Sequence, residues 1–186
     1  MPITTLDPST ALVVIDMQRY VMGLATAPRS PAEVAANAAK LARAFRARGL
    51  PVVLVNVAGT SPGRSEMPRP NLAAMPPNWT ELAPELEQQP SDILVTKYSI
   101  GAFNGTPLDL QLRRRAVTQI VLCGISTSAG VESTARAAHD HGYHLTFAVD
   151  ALADRSAEHH AHCVEKVFPR FGETGTTTDI LAKLGT

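Results

Sequence analysis

Two side chains of opposite charge stand where strand-like runs stop. Leu12-Val13-Val14-Ile15 ends at Asp16, and Asp92-Ile93-Leu94-Val95-Thr96 ends at Lys97. An acid and an ammonium close together in a partly dry cleft perturb each other's pKa and can move a proton. The same two residues would also suit a structural ion pair, so the pair alone leaves both readings open. Asn56, the loop Gly124-Ile125-Ser126-Thr127-Ser128-Ala129-Gly130 and Asp150 follow other apolar runs in the same way. Backbone N–H groups of residues 126–128, placed where a helix begins, suit an oxyanion or a carboxylate.

Other constellations carry less chemistry. Gly124 to Ser128 has the outline of a nucleophile elbow, with Asp150 and His159 following in the order Ser, Asp, His. The second elbow glycine is missing and His159 falls inside a helical segment close after Asp150, which argues against a serine-hydrolase triad. Cys123 lies within an apolar run and Cys163 within a helix, where free thiols are usually inert. His139, His141 and His144, and likewise His159, His160 and His162, resemble ligand clusters by spacing. Both groups sit at or on peripheral helices and read as solvated surface. Arg113-Arg114-Arg115 reads as the exposed side of a helix. Arg64 and Arg69 lie in a loop, where they either pair with a substrate carboxylate or are simply solvated.

The elements that must position these groups follow from the hydrophobic pattern. Runs that are apolar on both faces read as strands buried between helix layers. Five are evident: Leu12–Ile15, Val52–Val55, Asp92–Thr96, Ile120–Cys123 and Leu145–Val149, the last ending at Asp150; a short sixth is expected near Phe171–Thr176. Ser30-Pro31-Ala32-Glu33 is a capping box with proline at the first helical position, opening a helix to about Arg48. Further helices are expected from Thr106-Pro107, from Val131 to His141, from Ser156 to Phe168 and near Asp179–Leu184. Strand and helix alternate throughout, which predicts one domain over residues 1–186: a three-layer α/β/α, Rossmann-like, doubly wound parallel sheet. In such sheets ligands bind beyond the carboxyl ends of the strands, where Asp16 and Lys97 stand. Between Pro62 and Pro90 lie seven of the 14 prolines and the only tryptophan, Trp79. A long irregular segment of this kind is usually functional, and it is expected to cover the site.

Composition narrows the class. With 45% hydrophobic and 18% charged residues, the 186-residue chain is ordinary globular protein. Lys plus Arg and Asp plus Glu are 17 each, so charge gives no reason to expect nucleic acid or an anionic membrane as partner. The first residues lack the basic and apolar regions of a secretory signal, and no stretch has the roughly 20 apolar residues of a membrane span. The expected location is the cytoplasm.

Several segments together resemble a known family. Ala11-Leu12-Val13-Val14-Ile15-Asp16-Met17-Gln18 is similar to the opening motif of the isochorismatase-like (cysteine) hydrolases. Lys97-Tyr98-Ser99-Ile100-Gly101-Ala102-Phe103-Asn104-Gly105-Thr106 resembles that family's lysine segment. Gly124-Ile125-Ser126-Thr127, with Val131-Glu132-Ser133-Thr134-Ala135-Arg136, resembles its third motif, and Asp150-Ala151-Leu152-Ala153-Asp154 the segment after its fifth strand. The resemblance implies a six-stranded parallel sheet of order 3-2-1-4-5-6 and a site built from an aspartate, a lysine and usually a cysteine. The first two positions fall on Asp16 and Lys97, and the cysteine position falls on Gly130. It also implies a cis peptide at Ile125–Ser126. Substrate-binding positions are expected at Gln18, Ile125, Ser126 and Ala129, with Trp79 and Phe103 as apolar wall.

Without a thiol at Gly130, covalent catalysis has no nucleophile. The branch of the family with glycine there includes the isochorismatases proper, which hydrolyse a vinyl ether: an aspartate protonates the enol-ether carbon and water attacks the resulting oxocarbenium ion. The stretch Ala58–Asn78 departs from the substrate segment of those enzymes. Metal-binding amidases of the family carry Asp-x-His near the second strand's end; here the place reads Asn56-Val57-Ala58, so no metal is expected, and no cofactor. The resulting expectation is a hydrolase acting on a small polar metabolite by non-covalent Asp/Lys proton transfer, assembled as a homodimer or larger homo-oligomer. The alternative is a vestigial member of the fold that binds a small molecule without turnover.

Overall fold

The computed structural model describes residues 3–66, 68 and 70–185. In chain order the principal elements are β1 (Thr10–Ile15), α1 (Arg19–Met22), α2 (Pro31–Ala47), β2 (Val52–Val57), β3 (Ile93–Lys97), α3 (Leu108–Arg113), β4 (Gln119–Ile125), α4 (Glu132–Asp140), β5 (His144–Ala153), α5 (Ala157–His162), β6 (Glu173–Gly175) and α6 (Thr177–Leu184). The six strands form one sheet in the order β3-β2-β1-β4-β5-β6, and every pairing is parallel.

Central position explains the composition of β1. All six of its residues are buried, because helices cover both faces of the sheet. Leu12 and Val14 face one apolar cluster with Val34, Leu41 and Phe45 of α2 and Ile180 of α6. Val13 and Ile15 face the other, with Leu108 and Leu112 of α3 and Ala135 and Ala138 of α4. Strand alternation thus assigns consecutive residues to opposite layers. The α2 terminus forms as its sequence dictates: Ser30 Oγ accepts from the Glu33 amide, and the Glu33 carboxylate accepts from the Ser30 amide. Among the described residues, no helix is long and apolar enough to cross a membrane.

Three elements differ from the pattern-based expectation. The expected helix from Val131 begins earlier, as a π-helical turn over Thr127–Val131, and leads into α4. The segment after α5 is likewise π-helical over Cys163–Val167. β5 does not stop before Asp150 but continues to Ala153. Its register against β4 shifts between Leu122, opposite Phe147, and Gly124, opposite Leu152. The extra residues bulge, and Asp150 lies in the bulge rather than beyond the strand's end. Its Oδ1 accepts from the amide and hydroxyl of Thr177 at the start of α6, which is a structural use.

The sheet changes winding direction between β1 and β4, and both strands run into the site from there. Their contact is close at Gly124, which has φ +120°; a Cβ there would stand 2.1 Å from the Ile15 carbonyl oxygen. Gly124→Ala therefore combines a disfavoured backbone with a backbone clash. Urea denaturation is expected to show a loss of about 3 kcal/mol or more; a loss below about 1 kcal/mol would show that the two strands separate freely there.

Candidate active site

Asp16 is the first residue past β1. Its backbone occupies the left-handed region at φ 54°, uncommon for a side-chain-bearing residue, and it is pinned there from both ends. The Asp16 amide donates to the Val55 carbonyl and its own carbonyl accepts from the Gln18 amide. Lys97 closes β3, two strands away. In the sheet register it lies level with Val57, while Ile15 lies level with Val55. Two strand spacings are roughly 10 Å, which an extended lysine and an aspartate can bridge across the end of β2. Lys97 Nζ lies 2.8 Å from Asp16 Oδ2, and both side chains are over nine-tenths buried.

The ammonium has three hydrogens and three acceptors: Asp16 Oδ2, the Ile100 carbonyl at 2.8 Å and the Ser99 carbonyl at 3.3 Å. Asp16 Oδ1, in contrast, is a buried atom with no hydrogen-bond partner. Burial pushes the Asp16 carboxyl up to about 6, and the attraction of Lys97 only partly opposes this. The pair therefore leaves one oxygen, Asp16 Oδ1, without a hydrogen bond.

The other wall comes from the turn after β4. The Ile125–Ser126 peptide is cis. Gly130, inside the π-helical turn, approaches β1 closely: a Cβ added there would lie 3.0 Å from Ile15 Cγ2 and 3.2 Å from Asp16 Oδ2. Asp16, Lys97, Ile125, Ser126, Ala129 and Gly130 together line a cleft of about 460 Å³. Its apolar surface is completed by Val21, Leu24, Val57 and Ile100. Thr60, Ser61, Arg64 and Ser65 of the proline-rich segment line its mouth, so the first part of that segment does reach the site.

Three expected substrate contacts lie elsewhere. Phe103 is buried in the core, stacked on His141 at 5.1 Å and tilted against Tyr143. Trp79 packs edge-on against Tyr20. Neither borders the cleft, because the loop after β3 turns Phe103 inward towards α3, and Trp79 is held by its carbonyl, which accepts from the Tyr20 amide. Gln18 is fully buried, and its amide bonds the backbone of Val57 on both sides and the Trp79 carbonyl. It fastens the cover rather than lining the cleft. Asn56 has the same kind of role, donating to the Thr80 carbonyl and accepting from Thr96. Arg69 lies outside the described residues. The apolar contacts that pattern reading missed, Val21, Leu24 and Ile100, are ordinary aliphatic residues close in sequence to Asp16 and Lys97, and that proximity is the signal that points to them.

Of the six histidines, His139, His141, His144, His159 and His162 are exposed as expected, but His160 is buried, because α5 turns it against the turn after β4. Cys123 is fully buried in β4 and Cys163 is buried beside Glu132; burial raises the pKa of both thiols. Among the described residues no group of three or more His, Cys, Asp or Glu side chains is arranged to hold a metal ion.

A doubly wound sheet with a small cleft at its switch point, holding a buried acid against an ammonium, has the layout of an α/β enzyme acting on a small molecule. Comparison with known proteins gives the family: an isochorismatase domain matches residues 10–179, and the chain belongs to the isochorismatase family of hydrolases. It is 42% identical over 181 residues to the uncharacterized isochorismatase family protein YecD of Escherichia coli O157:H7, covering 95% of this chain and 96% of that one. A probable isochorismatase of Pseudomonas chlororaphis is 30% identical, over 95% of this chain and 87% of its own. The solved structure of an isochorismatase family protein from Burkholderia thailandensis superposes with a TM-score of 0.93 at 42% identity, covering 98% of each chain.

The electrostatics of the pair can be tested without a substrate. Lys97→Met removes the one influence that lowers the Asp16 pKa and leaves the burial that raises it. Carbon-detected NMR titration of the Asp16 carboxyl should place its midpoint above the wild-type value of about 6, by roughly one to two pH units. A midpoint that stays put or falls would show that Lys97 does not act on Asp16.

Proposed function

We propose that this hydrolase belongs to the branch of its family with glycine in place of the nucleophilic cysteine, and that it cleaves a vinyl-ether or related C–O or C–N bond of a small polar metabolite without a covalent intermediate. The observation that carries the reading is the juxtaposition of Gly130 and Asp16. At the point where a thiol would face the carboxylate there is no side chain, and a Cβ would already stand 3.2 Å from Asp16 Oδ2. Cys123 and Cys163 lie in the core, and their raised pKa values keep the nucleophilic thiolate scarce.

In this reading Asp16 is the proton carrier. A carboxyl pushed up to about 6 keeps its proton into the range where enzymes work. From Oδ1, the proton passes to the terminal carbon of the substrate's enol ether. The neighbouring carbon becomes an oxocarbenium centre, and water adds to it. The water's surplus proton returns to Asp16, and the hemiketal collapses to a ketone and an alcohol. Lys97, with all three hydrogens engaged, holds Asp16 Oδ2 and tunes its acidity rather than touching substrate. Within the Ser126–Gly130 turn the Ser128 amide is taken by Asp154 Oδ2 and the Ala129 amide by the Ser126 carbonyl, so the turn serves to shape the cleft wall. Arg64, at the cleft mouth, is placed to pair with a carboxylate. The Pseudomonas chlororaphis relative is a probable isochorismatase, which agrees with vinyl-ether chemistry.

The test is a hydrolysis assay against isochorismate, simple vinyl ethers and small primary amides. Activity is expected to survive exhaustive thiol alkylation of the native protein and to fall at least about 100-fold in Asp16→Asn. Because Asp16 acts in its protonated form, kcat/KM should decline as pH rises through about 6; a rise through the same range would make Asp16 a base. Activity lost on alkylation, with the adduct on Cys123, would overturn the non-covalent reading. Tight binding of a tested compound without turnover would make the chain a small-molecule-binding member of the fold instead.

A further inference from the structure

Directly behind the turn that faces the cleft lies a buried polar network to which the reaction above assigns no part. Thr127, which opens the turn, is fully buried, and His160 of α5 is 8% exposed. Thr127 Oγ1 stands 3.0 Å from the Ala153 carbonyl and 2.9 Å from His160 Nδ1. A hydroxyl has one proton to donate, and a carbonyl oxygen can only accept. Both contacts are hydrogen bonds only if Thr127 donates to Ala153 and His160 donates from Nδ1 to Thr127. That arrangement fixes the imidazole as its Nδ1–H tautomer. The opposite tautomer would turn the Thr127 hydroxyl to the ring and leave its contact with Ala153 unmade, a costly state for a buried polar group.

Two further bonds hold the same turn. Asp154 Oδ2 accepts from the Ser128 amide, and the Thr134 hydroxyl donates to the Gly130 carbonyl. These fix the turn at Ser128 and Gly130, whereas the His160–Thr127 bond fixes its first residue, next to Ser126. Burial and the nearby Arg29 guanidinium favour the neutral ring over the charge that Asp154 would favour. The neutral form is the one in which the choice of tautomer matters.

We propose that His160 is a positioning residue: through an Nδ1–H bond to Thr127 it sets the orientation of the turn that presents Ser126, Ala129 and Gly130 to the cleft. The inference rests on the reading of that cleft as the catalytic site, but its structural half is measurable without any substrate. Asparagine places an amide N–H close to the position of Nδ1, whereas glutamine places it near Nε2, so the two substitutions separate the bond from mere bulk.

The experiment has two arms. Nitrogen-detected imidazole spectra of the wild-type protein at neutral pH should show His160 protonated at Nδ1 and bare at Nε2. In His160→Gln and Thr127→Val the amide resonances of Ser126, Ala129 and Gly130 should move, and in His160→Asn they should return towards wild type. With whichever substrate the hydrolysis assay identifies, His160→Gln should lower kcat roughly 10- to 100-fold with KM nearly unchanged, and His160→Asn should recover most of it. An Nε2–H ring in the wild type overturns the proposal even if every variant fails to fold. So does a His160→Asn protein that behaves no better than His160→Gln in the amide spectra. If the assay instead shows Asp16→Asn to be fully active, the catalytic reading of the cleft fails, while the spectra still decide the role of His160.

Discussion

A carboxylate taken out of water loses more than a single neighbouring cation returns, and the site is organised around that imbalance. Asp16 stands at the end of the most buried strand, in a backbone conformation that aims it at the cleft instead of into either helix layer. Lys97 offsets part of the burial from two strands away, and its remaining hydrogens are taken by the carbonyls of the loop that follows it. The result is a fixed acid with one free oxygen. Removing either partner would leave the other charged group buried, so the pair and the ends of β1 and β3 must be placed together.

The opposite wall obeys a different constraint. The turn after β4 comes within van der Waals distance of β1, and at Gly124 only glycine permits it. At Gly124 a side chain would strike the Ile15 backbone, and at Gly130 it would crowd Asp16 itself. A turn so close to the acid needs support from behind, which Asp154, Thr134 and the Thr127–His160 pair provide. Holding reacting geometry by buried hydrogen bonds on a rigid scaffold is how small sites reach the precision that chemistry needs.

The cover is attached rather than packed. Gln18 and Asn56, both next to strand ends, donate to the carbonyls of Trp79 and Thr80, and this ties the later part of the irregular segment back against the ends of β1 and β2. The part of it lining the cleft, around Thr60 to Ser65, is exposed and hydroxyl-rich, while Trp79 and Phe103 serve packing elsewhere.

The sequence by itself determined the strands, the capped helices, the winding of the sheet and the two charged residues at its carboxyl edge. These follow from local periodicity and from groups adjacent in the chain, such as Ser30 with Glu33. The family motifs likewise located Gly130 and the cis peptide at Ile125–Ser126. What only the tertiary structure decided concerns direction and saturation. Phe103 points into the core, Gln18 has no free amide group left for a ligand, Asp150 sits in a bulge, and His160 alone of its cluster turns inward. Each outcome depends on contacts between elements far apart in the chain, where a side chain's use is set by which partner reaches it first. A residue's type shows what it can bond; only the fold shows which of those bonds are already made.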